Sequence, residues 1–205
     1  MSASICSMPT PKHTPMLDNA TVQALIARYD SPVPRYTSYP TALEFVPLAD
    51  SELLNSYRRC EPAHPVSVYI HLPFCENLCL YCGCNVLLSR KVEVLDDYIP
   101  MLLAEIDAKT AIFEFKPRVS QLHFGGGTPN FLRLGDWDKI FSKLRERFEF
   151  TADAEISVEL DPMYVSEEYL AHLRALGMHR VSYGVQDVTP KVLEAVNRPQ
   201  DIDRI

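Results

Sequence analysis

The sequence predicts an α/β fold with parallel strands, preceded by an N-terminal arm that carries short helices. Three observations point there. After His64, apolar β-branched stretches alternate with helical ones four times, and strands alternating with helices of this length build right-handed βαβ units on a parallel sheet. The stretch "SPVPRYTSYPTALEFVP" (31–47) carries prolines that forbid a regular helix or a central strand, leaving an extended arm. Finally, each strand runs into an unusual loop, and in parallel folds such loops collect on one rim.

The elements follow in order. Residues 1–18 are rich in Pro, Ser and Thr and are expected to form a disordered tail. Residues 19–65 form the arm, with a short helix over Thr21–Arg28 and another through Tyr57 that Asp50 or Ser51 can cap. Residues 66–205 form the core. "VSVYIHL" (66–72) reads as a buried strand by composition. Asp96 or Asp97 can cap a helix reaching about Phe113, with Pro100 in its first turn. "VSQLHF" (119–124) is a second strand. Asp136–Phe148 is an amphipathic helix that gathers Trp137, Ile140, Phe141, Leu144 and Phe148 on one side. "AEISVEL" (154–160) is a third strand. Ser166 caps a helix that stops at Gly177, a good residue beyond a helix end. "RVSYGV" (180–185) is a fourth strand, and Thr189-Pro190 opens a fourth helix.

Composition narrows the function. With 47% apolar residues the chain can bury a core, and its net charge of −7 argues against a general nucleic-acid or acidic-membrane surface. No apolar run approaches the roughly 20 residues that span a bilayer. The first residues lack a secretory pattern. The expected compartment is the cytoplasm, where clustered cysteines bind metal more often than they form disulfides.

Four of the six cysteines lie in "CENLCLYCGC" (75–84). Structural zinc sites use two ligand pairs separated by a longer loop. Here the ligands share one compact loop with the spacing C-x3-C-x2-C-x-C, and no distant Cys pair or His-x3-5-His completes a tetrahedron. Three cysteines so placed suit three irons of a [4Fe–4S] cluster, whose last iron stays open to a ligand that is not protein. Cys75, Cys79 and Cys82 are the expected metal ligands. Cys84 is a spare, because a single residue separates it from Cys82. Cys6 and Cys60 stand alone and are read as incidental, and His71 and His123 as core or rim histidines. Gly125–Gly127 lets backbone approach a ligand closely, though it does not make a dinucleotide fingerprint. Glu159, at a strand end, can accept from ribose hydroxyls.

The three-cysteine loop with Tyr81, followed by "GGGTP", resembles the radical S-adenosylmethionine (SAM) superfamily. Together, "PRYTSYPTA" (34–42), "CGCN" (82–85), "QLHFGGGTP" (121–129), "EISVELDP" (155–162), "GVQD" (184–187) and "VNRPQ" (196–200) resemble oxygen-independent coproporphyrinogen III oxidase. The resemblance implies a partial (βα) barrel of the radical SAM type. It implies a [4Fe–4S] cluster, SAM with two molecules per site, and decarboxylation of coproporphyrinogen III to protoporphyrinogen IX in haem biosynthesis. Position by position, Tyr69, Gly126 and Glu159 match contacts to the first SAM. Tyr81, Gly127, Thr128, Gln186 and Arg198 match contacts to the second. Tyr81 stands where the family often has Phe. Arg35 and Tyr36 of the arm would lie across the site mouth and offer a cation to a substrate with four carboxylates. An electron donor is implied without being identified, and a monomer is the family's expectation. The chain stops in the fourth helix, whereas the family's barrel continues, so an incomplete barrel of four βα units is expected and the activity belongs to the complete enzyme. Two alternatives stand beside this reading: a radical SAM haem chaperone, and a non-catalytic zinc-binding module.

Overall fold

A computed structural model describes residues 18–30 and 44–204. The chain divides into two units, Met1–Pro47 and Leu48–Ile205. Arg35 and Tyr36 lie outside the described residues.

In the first unit the described α-helix is α1 (Asn19–Tyr29), which begins two residues earlier than expected. The reason is its cap: the Asp18 carboxylate accepts from the Thr21 N–H at 2.8 Å, satisfying one orphan donor of the first turn.

The second unit opens with α2 (Asp50–Arg58). Its cap is Ala49 rather than Asp50 or Ser51, and Glu52 reaches back to accept from the Ala49 N–H at 3.2 Å. Then come β1 (Val66–Leu72), β2 (Phe74–Cys75) and β3 (Leu87–Leu88), followed by α3 (Val94–Thr110) and β4 (Arg118–Gly126). The chain continues through α4 (Leu134–Arg147), β5 (Glu149–Leu160), α5 (Glu167–Ala175), β6 (Arg180–Tyr183) and α6 (Pro190–Ala195). The main sheet has the order β1-β4-β5-β6, and every neighbouring pair is parallel. Spatial order therefore equals chain order. Crossovers of one hand in that order lay all the helices against one face, and this is the wall of a barrel.

The covered face is apolar. Ile70 and Leu72 of β1, Leu122 and Phe124 of β4, and Val158 and Leu160 of β5 form one buried cluster with Leu95 and Ile99 of α3, Trp137, Phe141 and Leu144 of α4, and Leu173 of α5. Phe124 meets Trp137 edge-on at 4.9 Å between ring centres. The indole N–H of Trp137 donates to the Tyr169 hydroxyl, which donates to the Leu132 carbonyl at 3.1 Å, so the one polar atom of the ring is not stranded. The alternate residues point to the other face, which is polar and carries Ser67, Tyr69, Gln121, His123 and Ser157.

Several details differ from the sequence reading, each for a local reason. β1 is an edge strand with one open face, so it is not fully buried: Tyr69 is 56% exposed. α3 starts at Val94 without a side-chain cap. Asp96 and Asp97 sit in its first turn, where acidic side chains complement the helix dipole, and Asp96 accepts from Arg133 instead. Pro100 lies beyond the first turn, within the helix and exposed. The helix ends at Thr110, not Phe113; Phe113 packs edge-on against Tyr57 at 5.5 Å. α4 runs over 134–147, and Phe148 is its C-cap. β5 is longer than expected because Glu149 and Phe150 already pair with Arg118 and Val119 before a register shift. β6 stops at Tyr183. Ser166 does cap α5, accepting from Tyr169 N–H at 3.1 Å, and Gly177 adopts φ +102° just past its end. Among the described residues no helix is long and apolar enough to cross a membrane.

A charged clamp joins α3 to α4. The Asp136 carboxylate, buried to 2% of its side chain, accepts from Arg133 Nε at 2.6 Å and Lys139 Nζ at 3.2 Å. Arg133 also reaches Asp96 at 2.7 Å. At the other end of the helix pair, Asp107 accepts from Arg147 at 2.6 Å and Lys143 at 3.2 Å. Burial alone would raise the Asp136 carboxyl, but the bonds from Arg133 and Lys139 outweigh it and hold the group below its ordinary 3.8. Asp107 is held low first by Arg147 and then by Lys143.

Both folded-state values lie below the unfolded ones. The stability these pairs contribute is therefore whole above the ordinary carboxylate range and is lost as pH falls through it toward the lower folded values. Urea unfolding followed from about pH 5 down to about pH 3 should show a steep loss of stability in the unsubstituted chain and a flatter one in Asp136→Asn. In the core, Leu144→Ala should cost about 2–5 kcal/mol by the same measurement, because it opens a cavity under Trp137 and Phe141.

Candidate active site

The four strand ends deliver their loops to one rim, and the loops line a single cavity of about 320 Å³. β1 continues through Pro73 into the cysteine loop. A feature the sequence did not suggest closes that loop: β2 and β3 pair in parallel, Phe74 with Leu87 and Cys75 with Leu88. Leu87 N–H donates to Pro73 at 2.7 Å and Ser89 N–H to Cys75 at 2.9 Å. The two ends of the 76–86 loop are thus stapled together, and the loop can be rigid without a disulfide.

The far side of the loop is tied to the segment after α6. Leu80 N–H donates to the Val196 carbonyl at 3.0 Å, and the Asn197 amide donates to the Leu78 carbonyl at 2.8 Å. These bonds explain why "VNRPQ" matters. Its backbone and amide shape the thiol loop, and its arginine enters the cavity.

β4 ends in the glycines. Gly127 N–H donates to Leu72 and Thr128 N–H to Phe74, both at 2.7 Å, so the turn stays bonded to the chain leaving β1. That approach excludes a side chain at Gly127: a Cβ would lie 2.7 Å from the Phe74 carbonyl oxygen and 2.9 Å from that of Leu72. Gly126 adopts φ +110°, and a Cβ there would enter the His71 ring at 2.5 Å. His71 itself is a strut. Its Nε2 bonds the Asn85 carbonyl at 2.8 Å. A carbonyl only accepts, so Nε2 carries the proton in the neutral ring, and Nδ1 accepts from Tyr69 at 3.1 Å.

Of the positions singled out in the sequence, Cys75, Cys79, Cys82, Tyr81, Gly126, Gly127, Thr128, Glu159, Gln186 and Arg198 all line the cavity, as does Cys84. Tyr69 does not. It sits on the open face, stacked on His123 with ring centres 5.9 Å apart, and lines a second cavity of about 280 Å³. Glu159 lies between the two, 3.4 Å from His123 Nε2 and accepting from Gly126 N–H at 3.4 Å. Gln186 holds φ +68°, a conformation side chains rarely adopt, and such strain clusters at functional sites.

The thiols sit among polar neighbours. Cys75 Sγ lies 3.4 Å from the Thr128 hydroxyl, and Arg198 Nη1 donates to Cys79 Sγ at 3.7 Å. Burial pushes the Cys75 thiol up, with Thr128 opposing it. Burial and the neighbouring Cys82 push Cys84 up. Burial, then the bond to Cys79, pushes the Tyr81 hydroxyl to about 12. Burial would lower the Arg198 guanidinium, but Asp161 and Cys79 outweigh it and keep the group charged.

Among the described residues no three His, Cys, Asp or Glu side chains converge on one metal position. An iron–sulfur cube does not ask for convergence, since each thiolate takes a different iron. Three thiols spread along one wall of a shared cavity, with a hydroxyl and a guanidinium beside their sulfurs, fit such a cluster.

A family model described as the radical SAM superfamily matches residues 69–205. The chain belongs to the radical SAM superfamily. It is similar to proteins called oxygen-independent coproporphyrinogen III oxidase: 46% identical over 179 residues to those of Salmonella typhimurium and Escherichia coli, and 37% over 182 residues to that of Synechocystis. The first two alignments cover 87% of this chain and 39% of each relative. The third covers 86% of this chain and 38% of the relative. A solved structure of coproporphyrinogen III oxidase from Escherichia coli, described as a radical SAM enzyme, superposes with a TM-score of 0.78 at 44% identity. It covers 89% of this chain and 40% of that one. The chain thus spans about 39% of the length of the relatives it matches. The parallel sheet and the helices on its outer face are those of that radical SAM fold.

Sequence reasoning passed over Asn130 and Asp161. Asn130, buried to 8%, bonds both backbone groups of Asp161, donating to its carbonyl at 2.8 Å and accepting from its N–H at 3.0 Å. The available signal was an Asn directly after "GGGTP" and an Asp-Pro at a strand end. Neither shows a partner until the fold brings the two together.

Gly127→Ala should cost about 1–3 kcal/mol in urea unfolding, because the added methyl meets backbone rather than a movable side chain. Gly135→Ala, with nothing within 4 Å of the added carbon, should be neutral or stabilising by up to about 1 kcal/mol. Equal effects at the two positions would remove the close approach as the reason for the glycine.

Proposed function

We propose that this chain carries the cluster- and nucleotide-binding half of the barrel of an oxygen-independent coproporphyrinogen III oxidase, an oxidoreductase of haem biosynthesis. The observation that carries the reading is one cavity shared by the thiol loop, the glycine loop and the ends of β5 and β6. Its support beyond the geometry is the identity to relatives of that name.

In this reading Cys75, Cys79 and Cys82 would hold a [4Fe–4S] cluster, which three protein thiolates would leave open to SAM. When bound, the cluster would supply an electron for reductive cleavage of SAM, and SAM would supply the radical chemistry that an oxygen-independent decarboxylation needs. The protein's part is to bind and orient. Backbone at Gly126 approaches the first SAM where a side chain would collide with His71. Glu159, fixed between Gly126 N–H and His123, offers an acceptor for ribose hydroxyls. Tyr69, from the middle of β1, reaches toward them on the open face by donating to His71 Nδ1. Tyr81, Gly127, Thr128, Gln186 and Arg198 surround the space for a second SAM, and the charged Arg198 suits its carboxylate. The substrate is coproporphyrinogen III, with Arg35 of the arm as a cation for its carboxylates. An electron donor completes the cycle. The assembled enzyme is read as a cytoplasmic monomer.

Anaerobic reconstitution with iron and sulfide tests the reading. The chain should take up about four irons and four sulfides and turn brown. Cys75→Ser, Cys79→Ser and Cys82→Ser should each abolish stable uptake, while Cys84→Ser retains it. Binding of a single zinc without iron or sulfide would sink the reading in favour of a zinc module. In the complete enzyme, a cluster that cleaves SAM without forming protoporphyrinogen IX would favour a haem chaperone.

A further inference from the structure

Arg198 enters the cavity with its hydrogen-bonding set nearly fixed. Nη2 donates to the Gly184 carbonyl at 2.8 Å and pairs with Asp161 Oδ2 at 3.0 Å. Nη1 donates to Cys79 Sγ at 3.7 Å, and the buried Nε has no partner among the described residues. Both sides of the ion pair are sheltered: the Arg198 side chain is 15% exposed and that of Asp161 12%. A guanidinium joined to the backbone through four rotatable bonds would otherwise sample many positions, and its ordering has to be supplied by the protein.

The residue that supplies it is itself held by three hydrogen bonds, one to its carboxylate and two to its backbone. Asp161 Oδ1 accepts from Met163 N–H at 2.9 Å, and Asn130 binds the Asp161 backbone through both amide atoms, at 2.8 and 3.0 Å. Asn130 follows directly on the glycine turn. The positions of the glycine loop, the end of β5 and the cation are therefore set by one connected chain of bonds. Gly184 belongs to the same arrangement, since a Cβ there would lie 3.2 Å from Arg198 Nη2.

We infer that Asp161 is a positioning residue, which locks the Arg198 guanidinium between Gly184 and Cys79 so that the second N–H of Nη1 meets an anionic ligand in the cavity. The inference rests on the reading of the cavity as a SAM site, and the ligand group it addresses is a carboxylate.

Nitrogen-15 NMR of the metal-free chain reads the positioning directly. The Arg198 Nε–H signal, assigned by its loss in Arg198→Gln, should exchange slowly with water in the unsubstituted protein. Asp161→Asn keeps the oxygen that accepts from Met163 and removes the ion pair. It should speed that exchange at least roughly tenfold and leave the backbone amides of Leu122 and Val158 unchanged. Fast exchange already in the unsubstituted protein, no change in Asp161→Asn, or an equal loosening of the core amides would each overturn the proposal. A double-mutant cycle on the iron–sulfur-reconstituted protein then reads the link to the ligand. Asp161→Asn should weaken SAM binding roughly tenfold when Arg198 is present and hardly at all beside Arg198→Gln. Equal weakening in both backgrounds gives Asp161 a merely structural role and overturns the inference. Absence of SAM binding by the unsubstituted protein overturns the SAM reading and the carboxylate ligand with it, while the exchange rates still decide the positioning.

Discussion

The structure of the rim depends on one close approach of backbone to backbone. Beyond the last paired residues of β1 and β4, Gly127 and Thr128 go on donating to Leu72 and Phe74 at 2.7 Å. Each strand therefore leaves the sheet still bonded to its neighbour. This brings the thiol loop and the glycine loop into the same space, and it depends on a residue with no Cβ at 127. Parallel strands bond along slanted, evenly spaced lines, so their ends can carry this register into the loops without a bulge.

Sidedness does the rest. The residues of β1, β4 and β5 that face the helices are apolar and buried to a few per cent, while their alternates are polar and, apart from the buried Ser157, more exposed. Burial against α3, α4 and α5 holds the wall, each fully buried large side chain contributing about 1.5–3 kcal/mol. The open face is left to chemistry. His123 illustrates the division: Ser157 bonds its Nδ1 at 2.8 Å, Tyr69 stacks on its ring, and its Nε2 faces Glu159 at 3.4 Å. A polar ladder runs along one face of strands whose other face is core.

Charge is used sparingly. The chain is acidic overall, with a net charge of −7, yet the cavity holds a sheltered cation in Arg198. Asp161 compensates that cation locally, which makes its burial tolerable. Clamps at the two ends of the α3–α4 pair work differently. There Arg133 and Arg147 are partly exposed and secure helices rather than ligands.

Four βα repeats, the apolar stripe of α4, the Ser166 cap and the Gly177 stop were all legible in the sequence, because period, capping and glycine conformation are local properties. The cysteine spacing and the glycine run pointed to a rim site for the same reason: each lies within a few residues of chain. Helix starts were read less well at α2 and α3. There the expected caps, Asp50 or Ser51 and Asp96 or Asp97, fall inside the helices, and Asp96 found its partner in Arg133, 37 residues away. The tertiary structure alone decided the β2–β3 staple of the thiol loop, the placement of Tyr69 on the open face rather than in the cavity, and the Asn130–Asp161–Arg198 chain. Each of these joins residues 13 or more positions apart. No local pattern encodes such a pairing; it exists only once the parallel register has set which strand ends stand side by side.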